Sequence, residues 1–161
     1  MPASSSTGRP WLLAMAVLCF AAVGAALASQ YVFDMRPCPW CILQRAIFVA
    51  IGLLCVLGAL FPARAAHHVA AGAALILAAA GATAAIYQHN VAAKSASCAL
   101  TFADKVINAL GLESMAPALF QVTASCADAA VSVIGVPYEF WSLGLFVVLG
   151  AASIGVLLKR R

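Results

Sequence analysis

The sequence predicts an all-α membrane protein: a four-transmembrane-helix bundle with a short amphipathic helix in its second external loop. Three observations predict it. The 161-residue chain is 65% hydrophobic and only 9% charged, more apolar surface than a soluble domain of this size buries, so its solvent is mostly lipid. Four apolar stretches run about 20 residues each, the length that a hydrocarbon core of about 30 Å requires. Five of the nine basic residues fall on one side of those stretches, with no acid among them.

The spans are Trp11 to Ser29, Ile42 to Phe61, His68 to Tyr87 and Phe140 to Leu158. Together with the external loops at about 30–41 and 88–139 they use nearly the whole chain, which reads as a single integral-membrane domain, 1–161. Residues 1–7 are Ser/Ala-rich and read as a disordered leader to the first span. Ala26-Leu27-Ala28 resembles a small-residue cleavage site. The apolar run before it exceeds the usual signal-peptide core of roughly 7–15 residues, so the first span is read as retained.

Charge placement orients the bundle. Arg9, Arg64, Lys159, Arg160 and Arg161 fall on one side of the spans, with no acid among them. The other side carries Arg36, Lys94 and Lys105 and all five acids, Asp34, Asp104, Glu113, Asp128 and Glu139. By the positive-inside rule both termini and the turn at 62–67 are cytoplasmic. The formal charge of +4 reflects this topology; scattered basic residues make no nucleic-acid footprint.

The second span begins near Pro39, since proline is tolerated in a first helical turn. The turn after Phe61 is short, which makes spans two and three antiparallel neighbours. Glycines in every span, Gly24, Gly52, Gly58, Gly72, Gly81, Gly144, Gly150 and Gly155 among them, predict close helix approach. The loop from about Gln88 to Glu139 is too long for a mere connection. Within it Phe102, Val106, Ile107 and Leu110 recur at helical spacing, a short amphipathic helix ended by Gly111 and Pro117. Such a helix lies flat on the lipid with its apolar face down, or packs against the rest of the loop. Leu119, Phe120 and Val122 form a second apolar patch. Trp11, Tyr87, Tyr138 and Trp141 sit at span ends, where aromatic belts belong.

The six cysteines divide in two. Cys19 and Cys55 lie inside spans and read as small polarizable core residues. Cys38, Cys41, Cys98 and Cys126 are external, where thiols pair and four allow three connectivities. Cys38-Pro39-Trp40-Cys41 opens the second span. Unpaired N–H groups and the helix dipole favour a thiolate there. A closed zinc site needs four ligands, usually as two close pairs, and Cys98 and Cys126 are far apart in sequence. A structural disulfide across two residues closes too small a loop to stabilise much. A redox dithiol fits this spacing best. Cys98 and Cys126 read as a loop staple worth about 3–4 kcal/mol, or as a second pair in a relay of disulfide exchange.

Arg45 stands one turn inside the second span, where a charge needs a reason. Either it snorkels to the headgroups, or it sits beside the Cys41 sulfur, one helical turn away, and faces a bound electron acceptor. His89, at the external end of span three, is a candidate second donor at that depth; a lone interfacial histidine is more commonly just solvated. His67 and His68 read as a polar helix start, and Glu139 as an interfacial charge.

These features resemble the DsbB family of bacterial disulfide-bond formation proteins over essentially the whole chain. The string Cys38-x-x-Cys41-Ile42-x-Gln44-Arg45 is the most specific match. Tyr87-Gln88-His89 and the stretch from Gly135 to Leu143, with Pro137 and Trp141, agree more loosely. The resemblance implies a bacterial inner-membrane oxidoreductase that reoxidises a DsbA-like periplasmic thioredoxin-fold protein and reduces ubiquinone or menaquinone, the chain known to keep the periplasm oxidising. It further implies a mixed disulfide at Cys98, pairing of Cys126 with Cys38, release of Cys41 as a thiolate, and a quinone held near Arg45 and His89. Two other readings remain at this point. One is a non-catalytic four-span protein with structural loop disulfides. The other is a reductase of the vitamin K epoxide reductase type, in which the CxxC motif falls late in the chain instead of opening span two.

Overall fold

The computed structural model describes residues 8–94 and 101–159; Cys98 lies outside them. Four long helices, α1 (Arg9–Val32), α2 (Pro39–Leu60), α3 (Arg64–Asn90) and α7 (Tyr138–Leu158), are each long and apolar enough to cross a membrane. Between α3 and α7 come a 3-10 turn (Ala92–Lys94) and three short helices, α4 (Phe102–Ala109), α5 (Leu112–Met115) and α6 (Pro117–Phe120). A two-stranded hairpin follows, β1 (Ser132–Val133) and β2 (Val136–Pro137).

Each span extends beyond its apolar run at one end or both. α3 starts at Arg64 and runs to Asn90, α1 continues to Val32, and α2 starts at Pro39. Polar residues at the interfacial ends continue the helical hydrogen-bond ladder, which lipid makes obligatory. Pro39 occupies the first turn of α2, where its missing N–H costs nothing.

The helices pack in a chain of neighbours, α1 on α2, α2 on α3 and α3 on α7, with slight contact between α1 and α7. Their buried faces are narrow. On α1 the face is Leu12, Met15, Ala16, Cys19 and Val23; on α3 it is largely alanine, Ala70, Ala71, Ala74, Ala78 and Ala85. Residues such as Val17, Ile76 and Val147 point outward, as lipid-facing side chains do. Small residues set the spacing. A Cβ on Gly58 would fall 2.5 Å from that of Ala70, and one on Gly81 would run into the Phe146 ring. Phe146 in turn stacks on Phe48, with ring centroids 4.1 Å apart. Cys19 and Cys55 are both fully buried in this core.

The loop helix α4 begins with a capping box: the Thr101 hydroxyl accepts from the Asp104 N–H, and the Asp104 carboxylate accepts from the Thr101 N–H. Its buried residues are Ala103 and Ile107, with Val106 partly buried; Phe102 and Leu110 are exposed. Ile107 packs with Ile42 of α2 and Phe120 of α6. The helix therefore docks through Ala103 and Ile107 on α2 as well as on the loop residue Phe120, and turns Phe102 and Leu110 away. Gly111, at φ 61°, takes the left-handed turn into α5.

Candidate active site

Three short-range devices bring the sulfurs together. Cys38 caps α2 from an extended conformation, and its sulfur accepts the Cys41 N–H at 3.3 Å. This puts the two sulfurs 2.7 Å apart. The second loop is then tied to the first: the Pro37 carbonyl accepts from the N–H groups of Thr123 at 3.1 Å and Ala124 at 3.2 Å. A turn held by Ser125 and Asp128 follows, the Ser125 hydroxyl donating to the carboxylate at 2.6 Å. Cys126 thereby reaches Cys38 across the two loops and packs with it, Trp40, Leu43, Ala84, Ala92 and Ala103.

The contact polarises the outer sulfurs in opposite senses. The Cys38 thiol donates to Cys126, and the Trp40 backbone N–H also donates to it; both hold Cys126 below the ordinary thiol value. Cys38, which keeps the shared proton and is fully buried, is pushed above that value, chiefly by the same hydrogen bond to Cys126. Burial of the charged form acts in the same direction. One sulfur is thus a nucleophile and its neighbour a proton carrier.

The third sulfur looks elsewhere. Cys41 accepts a hydrogen bond from the Gln88 amide at 3.3 Å, and Gln88 accepts one from the Gln44 amide at 2.6 Å. Both amides are buried. Cys41, Gln44 and Gln88 together line a cavity of about 340 Å³, within the range typical of small-molecule sites. Its apolar walls include Ala22, Ala26, Phe48 and Leu145, and the hairpin residues Val133 and Ile134 contribute to its lining. The slight contact between α1 and α7 leaves room for it.

Arg45 lines the same cavity and is only 5% exposed. Its guanidinium does not snorkel outward. It donates to the Leu119 carbonyl at 2.6 Å and the Gln30 side chain at 2.9 Å, with a longer contact to the Ala26 carbonyl at 3.5 Å. One nitrogen, Nε, is buried without a partner, an unmet donor that an acceptor-bearing ligand would satisfy. The arginine therefore ties α1 and α6 to α2 while facing the cavity.

His89 is not part of the cavity lining. Its Nδ1 lies 2.7 Å from a Glu139 carboxylate oxygen, and its ring packs on Phe140 at 4.7 Å. Glu139 does line the cavity and is 5% exposed. A mostly apolar cavity whose lining includes a guanidinium, two amides, a carboxyl and a thiol has the chemistry to take a flat neutral ring with carbonyl acceptors. Gln44, Gln88 and Glu139 went unassigned in the sequence as site residues. The available signal was the cost of any polar side chain within a span.

Comparison with known proteins identifies the family. The family model for disulfide bond formation protein DsbB matches residues 8–156. Disulfide bond formation protein B 1 of Pseudomonas syringae pv. syringae (strain B728a) is 32% identical over 95% of this chain and 91% of its own length. Disulfide bond formation protein B of Ralstonia nicotianae (strain ATCC BAA-1114 / GMI1000) is 32% identical over 96% of this chain and 97% of its own. That of Stutzerimonas stutzeri (strain A1501) is 31% identical over 86% and 87%. With a family model matched over nearly its whole length, a paired dithiol at a span entrance and relatives about 30% identical over most of their length, the chain belongs to the DsbB family of disulfide bond formation proteins.

Proposed function

We propose that this membrane disulfide-generating oxidoreductase takes two electrons from a reduced DsbA-like periplasmic thioredoxin-fold protein and passes them to ubiquinone or menaquinone in the bilayer. The observation that carries the reading is the position of Cys41. Its sulfur sits 2.7 Å from Cys38 on one side and lines an apolar cavity beside Arg45 on the other. A dithiol buried for structural reasons alone has no need of that cavity.

In this reading Cys98 takes the partner's attack as a mixed disulfide. Cys126, released from Cys98 by that attack and met by the Trp40 backbone N–H, attacks Cys38 in the Cys38–Cys41 disulfide by thiol–disulfide exchange, which frees Cys41. Arg45, Gln44 and Gln88 would hold the carbonyl end of the quinone, and Phe48 and Leu145 would flank its ring. His89 acts from behind Glu139. A bound quinone supplies a two-electron sink more oxidising than the partner's dithiol. The Gln88 amide donates to the Cys41 sulfur and the Arg45 guanidinium lines the same cavity, donors and charge set in place before the reaction.

The basic end of the bundle, with Arg9, Arg64 and Lys159, supports cytoplasmic termini, and with that orientation the sulfurs would lie on the periplasmic face of the bacterial inner membrane. The whole chain, 1–161, would act as one domain. The test is direct: purified protein is mixed with a reduced DsbA-like protein and a short-chain ubiquinone or menaquinone, and quinol and partner disulfide are measured. Equal yields of both are expected. Partner oxidation without quinol from either quinone would overturn the reading.

A further inference from the structure

We infer that Glu139 delivers a proton to the electron acceptor in the cavity, and that His89 relays it there from water. The inference rests on the quinone reading above and deepens it. Once the partner has left as its disulfide and Cys126 has returned to Cys98, Cys38 is again a thiol beside the Cys41 thiolate; as their disulfide re-forms, the pair loses two electrons and one proton. Reduction of a quinone to a quinol takes up two electrons and two protons. The sulfurs therefore supply every electron and leave the balance one proton short. That proton must come from water, into a cavity whose walls are mostly apolar.

Among the described residues, Glu139 and His89 form a route of suitable chemistry. Glu139 is a carboxyl in the cavity wall with 5% exposure, a costly placement for a group with no task. Its partner is His89, 2.7 Å away, whose side chain is 35% exposed. The pair thus spans from the cavity to the outside. An imidazole takes a proton at one ring nitrogen and gives one from the other, which suits it to this relay. Other titratable groups border the same cavity. Cys41 and Arg45 come from α2, Arg36 from the first loop, and Tyr138 precedes Glu139 on α7. Arg45 is committed to Leu119 and Gln30, and Cys41 gives electrons. Glu139 donates its proton, becomes a carboxylate, and is reprotonated by His89, which recovers a proton from water at its outer edge.

The test uses the full-length protein with a reduced DsbA-like partner. Binding of short-chain ubiquinone is read from quenching of tryptophan fluorescence, since Trp141 lines the cavity. Turnover is read with its solvent deuterium isotope effect. Glu139→Gln should bind the quinone within about twofold of the parent yet form quinol at least about tenfold more slowly, with a larger isotope effect. Glu139→Asp, which keeps a proton-bearing carboxyl, should retain more activity than Glu139→Gln. His89→Ala should be slow and recover on addition of imidazole, and the doubly substituted protein should not recover. Full activity in Glu139→Gln, a loss of binding as large as its loss of rate, the reverse order of Asp and Gln, or no rescue of His89→Ala by imidazole would each overturn the inference. If the parent protein neither binds nor reduces any quinone, the quinone reading itself fails and the relay with it. The parent's own behaviour therefore separates the two failures.

Discussion

Replacing Gln88 with leucine separates what the buried amides do for stability from what they do for electron transfer. Gln88 has two contacts: it accepts from Gln44 at 2.6 Å and donates to the Cys41 sulfur at 3.3 Å. Gln88→Leu leaves the buried Gln44 amide without its acceptor, at about 1–3 kcal/mol of stability. It also removes a donor from a sulfur that carries negative charge when it reacts. A hydrogen bond to a charged group contributes about 1.5–3 kcal/mol, which corresponds to a rate loss of roughly 10- to 150-fold. The double substitution Gln44→Leu with Gln88→Leu removes both unmet groups. It should recover most of the stability and none of the rate. Thermal unfolding in detergent and quinol formation on the same samples decide the matter. A Gln88→Leu protein of unchanged rate, or a double variant that regains rate together with stability, would refute the reasoning.

Other consequences follow from the same geometry. In the fully reduced protein, alkylation of Cys126 should persist at pH values below those an ordinary thiol tolerates, because the Cys38 proton holds it down. Removing that donor by Cys38→Ala should move the alkylation profile of Cys126 upward in pH. Mass spectrometry of the labelled peptide across pH reads both. Arg45→Lys keeps the charge but replaces a planar fork with a point donor. It cannot serve Leu119 and Gln30 as the guanidinium does. Thermal unfolding should show a loss of about 1–3 kcal/mol, and the KM for quinone should rise. Gly81→Ala places a methyl in the Phe146 ring, at a cost of about 1–3 kcal/mol from overpacking. Since Phe146 stacks on Phe48 in the cavity wall, quinone affinity should fall together with thermal stability.

The spans were legible because lipid demands long apolar runs, and their ends were less so. Hydropathy stops at His68 while α3 starts at Arg64, since a helix in lipid continues until its hydrogen bonds can be met by water. For α4 the sequence marked the right segment and named Ile107 and Val106, but it also set Phe102 and Leu110 on the apolar face and passed over Ala103. The docked side is built on Ala103 and Ile107, because close approach to α2 favours a small residue. Cys38, Cys41 and Arg45 were legible from local spacing on one helix. The approach of Cys126 came only with the family resemblance and not from spacing, because it depends on the Pro37 carbonyl meeting two N–H groups more than eighty residues away. His89 carried a visible ring and an invisible partner: its contact with Glu139 links two spans that no local pattern relates.

The central claim is that electrons leave the protein through the Cys41 sulfur into the cavity beside Arg45. Rapid mixing of Cys41→Ser protein with a reduced DsbA-like partner and short-chain ubiquinone, followed for quinol and for trapped mixed disulfide, tests it. The account predicts a mixed disulfide between the two proteins and no quinol. Quinol formation at the parent rate from protein lacking that sulfur would contradict it.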